Sequence, residues 1–283
     1  MTTEPQATAD PAALQAQVSG SSFYAAMRVM PKAERAAMFA IYSFCRMVDD
    51  IADDGTRPRA QRATALDRWR ADLAALYADR PAGPASFLKD AVHNFGLRQA
   101  DFLAVIDGMQ MDVDADIRAP DLETLNLYCD RVAVAVGRLS IRIFGMEERP
   151  GLELAHRLGR ALQLTNILRD LDEDAAIGRL YLPRELLTKA GIATADPNGA
   201  IADPRVDGAC RDLAALALEH FAAADRVMRA RPRGRLLAPR LMSAVYRTIL
   251  QQMIVEGWVA PRRRVRIGKA RLLWLVARCS VFG

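Results

Sequence analysis

The sequence predicts an all-α, single-domain protein, and three observations support this. Leu, Ala, Arg and Met abound, whereas aromatic and β-branched runs are scarce. Apolar residues recur at helical spacing in seven segments. They are also spread evenly along the 283 residues, which favours one domain over two.

The first helix is expected over 31–53, where Met38, Phe39, Ile41, Phe44, Met47, Val48 and Ile51 supply the apolar pattern; Pro58 follows it. The second runs over 62–78 and stops before Arg80-Pro81-Ala82-Gly83-Pro84. A third covers 99–114, and Pro120 separates it from a fourth over 121–145. After Pro150 a fifth spans 151–174, carried by Leu158, Ala161, Leu162, Leu164, Ile167, Leu168 and Leu171. The 178–207 region reads as a connection, and helices over 208–230 and 237–257 end before Pro232 and Pro261. Residues 1–19 read as a mobile tail ahead of a domain over 20–283, and no internal repeat is present.

Two of these helices carry a polar stripe where a buried helix should be apolar. At about 100° per residue, Tyr42, Arg46, Asp49 and Asp53 fall within roughly 60° of arc, and Gln163, Asn166, Asp170 and Asp174 within roughly 80°. A lone DD or DxxxD pair is usually solvated surface. Two acidic faces about 120 residues apart, each preceded in register by amide, arginine or tyrosine groups, point instead to a shared site. Buried carboxylates need counter-charges. Hard oxygen donors without Cys or His pairs suit Mg²⁺ rather than zinc, with water and substrate phosphate completing the octahedron. Asp49, Asp53, Asp170 and Asp174 are therefore the metal candidates, with Asn166 beside them, Asp50 and Glu173 just off the stripe, and a diphosphate as the natural substrate.

The four cysteines are widely spaced and the three histidines show no ligand spacing, so the cysteines read as structural thiols in a reduced compartment. With no signal peptide and no long apolar stretch, the expected location is cytoplasmic. The net charge of +5 is uneven, with fourteen Lys or Arg and one acid, Glu256, over 226–283. No stacking pattern or nucleic-acid motif accompanies these charges. An anionic lipid surface or a diphosphate explains them more simply: Arg262-Arg263-Arg264 and the amphipathic segment 270–281 could lie peripherally on the inner face of a membrane, or form a solvated basic helix.

The runs Tyr42-Ser43-Phe44-Cys45-Arg46-Met47-Val48-Asp49-Asp50-Ile51-Ala52-Asp53 and Leu162-Gln163-Leu164-Thr165-Asn166-Ile167-Leu168-Arg169-Asp170-Leu171-Asp172-Glu173-Asp174, with Gly178-Arg179-Leu180-Tyr181-Leu182-Pro183, resemble the two signatures of the squalene/phytoene synthase family. The resemblance covers roughly 20–270, and Asp107-Gly108-Met109-Gln110-Met111-Asp112 and the 128–140 segment are most similar to the bacterial presqualene diphosphate synthases of hopanoid biosynthesis. It implies an isoprenoid synthase helical fold with a central cavity. It also implies Mg²⁺-dependent head-to-head condensation of two farnesyl diphosphates to presqualene diphosphate, with phytoene, dehydrosqualene and squalene synthesis as alternatives. A decayed-site lipid-binding or assembly protein is the non-enzyme alternative.

By the same resemblance, Arg46, Arg169, Tyr181, Arg264 and Ser22 face diphosphate, Gln163 orients substrate, and Tyr42, Tyr128 and Tyr246 line the reaction centre. Tyr42 and Arg46 join the four aspartates as catalytic candidates. Val132, Val136 and Gly137 lie on a small-residue helix face that either packs closely or walls a prenyl tunnel.

Overall fold

A computed structural model of the chain describes Met27 and residues 30–282, so the expected tail over 1–19 lies outside the described residues. The long helices form where apolar periodicity predicts them, and shorter ones lie between. They are α1 (Lys32–Asp53), α2 (Arg59–Tyr77), α3 (Lys89–Phe95), α4 (Gln99–Asp114), α5 (Leu122–Cys129), α6 (Ala135–Ile143) and α7 (Glu148–Arg169), followed by α8 (Leu171–Ala176), α9 (Arg184–Lys189), α10 (Pro197–Ala202), α11 (Val206–Arg229), α12 (Leu237–Glu256) and α13 (Lys269–Phe282).

Four stretches differ from expectation, the first being 83–95, where a 3₁₀ helix (Gly83–Leu88) and α3 form although no helix is expected there. The helix foreseen over 121–145 is interrupted by a π-helical turn, Asp130–Val134, which shifts the helix face by one residue. The helix foreseen over 151–174 bends at Asp170 (φ −106°), although Asp170 N–H still donates to Asn166 O and Asp174 N–H to Asp170 O. Asn166, Asp170 and Asp174 thus keep their register across the bend. The expected 178–207 connection contains the short helices α9 and α10, too brief for periodicity to reveal.

Two apolar clusters share the interior. One gathers α1, α2 and α4 around Phe44, whose ring meets those of Trp69 and Phe102 edge-on at 5.5 and 5.1 Å. The other gathers α7, α11 and α12 around Leu164, Phe221 and Val245. Between them lies a cavity of about 310 Å³, bounded by Met38 and Ile41 on one side, Leu158 and Met242 on the other, and by the π turn and α6.

Close approach of α7 to that wall depends on Gly159, because an added Cβ would meet the backbone of Ala133 and Val134 at 3.0–3.1 Å. Gly137 similarly packs on Ala155 while its helix lines the cavity, so the small-residue face both packs closely and borders open space. Beyond α12, Trp258 anchors the chain: its indole N–H donates to Leu168 O at 2.9 Å and its backbone N–H to Asp207 at 2.8 Å. The arginine run at 262–264 is thereby brought to the acidic end of α7.

Gly159→Leu should lower stability by about 1–3 kcal/mol through overpacking against the π turn. Urea unfolding checks this; an unchanged midpoint would mean that the helices are not in such close contact.

Candidate active site

The two acidic stripes meet at one arginine. Gly178 takes a left-handed φ of +81° after α8 and turns the chain back, and the following segment pairs with residues near Arg118 through Leu180 N–H to Ile117 O and Ala119 N–H to Leu180 O. This turn delivers Arg179 between α1 and α4. Its Nη1 donates to Asp53 at 2.6 Å, its Nη2 to Ala52 O at 3.2 Å, and its Nε lies 3.8 Å from Asp112. The mostly buried guanidinium stays charged because these carboxylates outweigh the cost of burial.

Asp112 and Arg179 are the two residues the sequence reading missed. The signal for Asp112 was its position on the apolar stripe of Phe102, Val105, Ile106, Met109 and Val113, where a carboxylate must be satisfied internally. Asp112 is 2% exposed, accepts from Tyr181 Oη at 2.7 Å and Tyr128 Oη at 3.2 Å, and lies under the two stacked rings, 4.9 Å apart. Burial pushes both phenols well above their ordinary range, with Asp112 adding to the shift, so each remains a proton donor to the carboxylate. Tyr128 and Tyr181 therefore sit in this buried network, not on the cavity wall, and the Tyr181 hydroxyl expected to face diphosphate donates to Asp112 instead.

Around this centre Asp49, Asp50, Asp170 and Glu173 are held by arginines. Arg46 donates to Asp49 at 2.7 Å and Asp50 at 2.6 Å. Arg169 grips Asp170 through two hydrogen bonds of 2.8 and 2.6 Å, and Arg264 reaches the same carboxylate at 2.8 Å and Glu173 at 3.3 Å. Asp49 is pushed up to about 7 by burial, then by repulsion from Asp53; Asp174 is pushed up to about 7 by burial, then by Asp170. Like charges from α1, α4 and α8 thus crowd one space.

The cavity extends to Tyr42 and Asn166, one helical turn from Arg46 and Asp170 of this cluster. Tyr42, Gln163, Asn166 and Tyr246 line it together with Val132, Val136 and Gly137, and Tyr246 contacts Arg169. Asn166 donates weakly to Gln163 at 3.5 Å, while its own Oδ1 is buried without a hydrogen-bond partner. An orphaned amide oxygen one turn from Asp170 suits a cation or a bound water. Cys45 also faces the cavity, but burial pushes its thiol up to about 12, so it is no nucleophile.

The donor set suits Mg²⁺, although among the described residues no three acidic, His or Cys side chains converge as a ready-made cage. Mg²⁺ commonly takes one or two carboxylates and completes its shell with water and phosphate, so an open arrangement fits it. Ser22 lies outside the described residues. Arg262, expected to face solvent or membrane, is instead 9% exposed, donating to Asp172 at 2.7 and 3.1 Å and to the Trp258 and Ile201 carbonyls. Arg264, bound to Asp170, likewise points toward the acidic cluster.

Residues 16–271 match the squalene/phytoene synthase family model, and the chain belongs to that family. It is 56% identical to the presqualene diphosphate synthase of Rhodopseudomonas palustris, over 97% of this chain and 98% of that protein. It is 58% identical to the one from Zymomonas mobilis, over 94% and 92%. A phytoene synthase of Mycobacterium tuberculosis is 33% identical over 89% and 83%. In structure the chain resembles a dehydrosqualene synthase with bound ligand, at TM-score 0.81 and 26% identity over 96% and 95% of the two chains. It also resembles the squalene synthase HpnC from Alicyclobacillus acidocaldarius, at TM-score 0.75 and 27% identity over 88% and 93%.

The raised carboxylates carry a stability signature. Because Asp174 holds its proton more tightly folded than unfolded, its contribution is harmless below pH about 4 and turns destabilising as pH rises toward about 7. In metal-free protein, Asp174→Asn should therefore raise Tm relative to the unsubstituted chain, and more at pH about 8 than at about 5. A lower Tm for the variant at the higher pH would contradict the crowding of like charges.

Proposed function

We propose that this member of the family condenses two farnesyl diphosphates head to head, releasing diphosphate and leaving presqualene diphosphate. The observation that carries the reading is the juxtaposition of two arginine-bound acidic stripes with the mouth of an apolar cavity. The names of relatives at 56–58% identity support the fifteen-carbon substrate over the twenty-carbon one.

In the first step, the C1–O bond of one substrate breaks and its electron pair leaves with diphosphate. The C2–C3 double bond of the second substrate then attacks C1, and loss of a proton closes a three-membered ring. Arg46, Arg169 and Arg264 are placed to take diphosphate oxygens, which requires them to exchange carboxylates for phosphate, whereas the buried Tyr181 hydroxyl is engaged by Asp112. Asp49, Asp53, Asp170, Asp174 and the Asn166 oxygen would then hold Mg²⁺. When bound there, the metal supplies neutralisation of the charge that builds on the departing group. Tyr42 and Gln163 orient the substrate at the cavity mouth, and Val132, Val136 and Gly137 wall the prenyl chain.

The cavity keeps water from the allylic cation, and prenyl burial contributes roughly 0.8 kcal/mol per CH₂-sized unit. All the acidic and amide residues of both stripes are present, which argues against a decayed site. No helix among the described residues is long and apolar enough to cross a membrane. A cytoplasmic location with peripheral contact at the inner membrane face is part of this proposal, supported by the basic C-terminal region.

Turnover of farnesyl diphosphate should require Mg²⁺, and Asp53→Asn and Asp170→Asn should each reduce it roughly 10²–10³-fold with helical content intact. Two such variants with full turnover would remove the assigned roles. Product mass spectrometry identifies the reaction: a thirty-carbon alcohol should appear only after phosphatase treatment, with or without NADPH. A forty-carbon hydrocarbon, or an NADPH-dependent thirty-carbon hydrocarbon as main product, would overturn it.

A further inference from the structure

A second cavity, of about 430 Å³, opens between α11, α12 and α13, away from the acidic centre. Four arginines line it, Arg240, Arg247, Arg271 and Arg278, against one carboxylate, Asp225. That carboxylate is already engaged: Arg247 Nη2 lies 2.7 Å from it and Arg229 Nη2 3.8 Å. Arg247 Nε is buried without a hydrogen-bond partner, its guanidinium packed over Phe221. Among the described residues, Arg271 and Arg278 pair with no carboxylate; they flank the ring of Trp274 at 5.0 and 5.2 Å. An uncompensated cluster of fork-shaped donors suits phosphate oxygens.

The helix that forms the lip is apolar on two faces. Leu272, Leu275 and Val276 pack inward, as an ordinary amphipathic helix would require. Yet Ala270, Leu273, Trp274 and Ala277, at i, i+3, i+4 and i+7, form a second stripe facing outward, with Leu273 70% and Trp274 48% exposed. Lys269, Arg271 and Arg278 flank that stripe, and α13 contains no acid. An outward apolar stripe with a tryptophan, bordered by unpaired cations, matches the headgroup layer of an anionic bilayer.

We propose that this cavity binds the phosphate of an anionic phospholipid while the outer face of α13 is seated among the headgroups. The proposal deepens the peripheral location given above and replaces Arg262 and Arg264, which are turned into the acidic cluster, with a defined site.

Flotation of the full chain with phosphatidylcholine vesicles, with and without phosphatidylglycerol, tests it. Binding should require phosphatidylglycerol and fall about tenfold or more in the double variant Arg271→Glu/Arg278→Glu. Trp274→Ala should lose comparable binding with charge unchanged. Turnover of micelle-free substrate is followed in each variant, and intact turnover with lost flotation separates this site from the catalytic reading. The exposed pair Arg68→Glu/Arg80→Glu, with the same charge change elsewhere, should float normally. Equal loss in that control, full binding by Trp274→Ala, or protection by free inorganic phosphate without any flotation would each overturn the proposal.

Discussion

The arrangement depends on the contact of the buried Arg179 guanidinium with half-exposed Asp53 and buried Asp112. Those three side chains come from the turn after α8, from the end of α1 and from the end of α4, so one guanidinium joins elements more than a hundred residues apart. Removing Arg179 would strand the buried Asp112 carboxylate, and breaking such a buried pair typically costs about 3–5 kcal/mol, whereas the half-exposed Asp53 is screened by solvent. Tyr128 and Tyr181 satisfy the rest of Asp112, so the carboxylate sits in a low-dielectric interior with donors on both oxygens. Burial still pushes Asp112 upward, with Arg179 and the phenols opposing the shift. The network holds the two acidic faces in register without lining the cavity.

The sequence showed much of this, and what it hid has a physical reason. Helical period is a local property, so α1, α2, α4, α7, α11 and α12 follow from the spacing of apolar residues, and the two polar stripes follow from the same arithmetic. The π turn is not local in that sense: it preserves helical appearance while displacing one residue, and is stabilised by how Gly159 packs against it. Arg179 lay inside a motif already singled out, but its partners are decided by a chain reversal at Gly178. Charge counting over 226–283 was correct, yet it treated alike arginines that the fold sends in opposite directions. Trp258 carries Arg262 and Arg264 to the acids, while α13 turns Arg271 and Arg278 outward.

Arginine and carboxylate act here as mutual placeholders. Five aspartates, Asp49, Asp53, Asp112, Asp170 and Asp174, influence one another electrostatically, and such a cluster would repel itself apart without counter-ions. Arg46, Arg169, Arg179 and Arg264 provide them from within the chain. The same guanidiniums match phosphate oxygens, and the same carboxylates match Mg²⁺, so a metal diphosphate satisfies both sets together. Neither ligand alone does so: diphosphate without metal would take arginines and leave acids bare, and metal without diphosphate would leave guanidiniums unpaired beside added positive charge. The arginines therefore offset the acids only in part, and neither partner singly suits both sets. That residual crowding of like charge links the destabilisation of the folded chain to the chemistry of diphosphate departure.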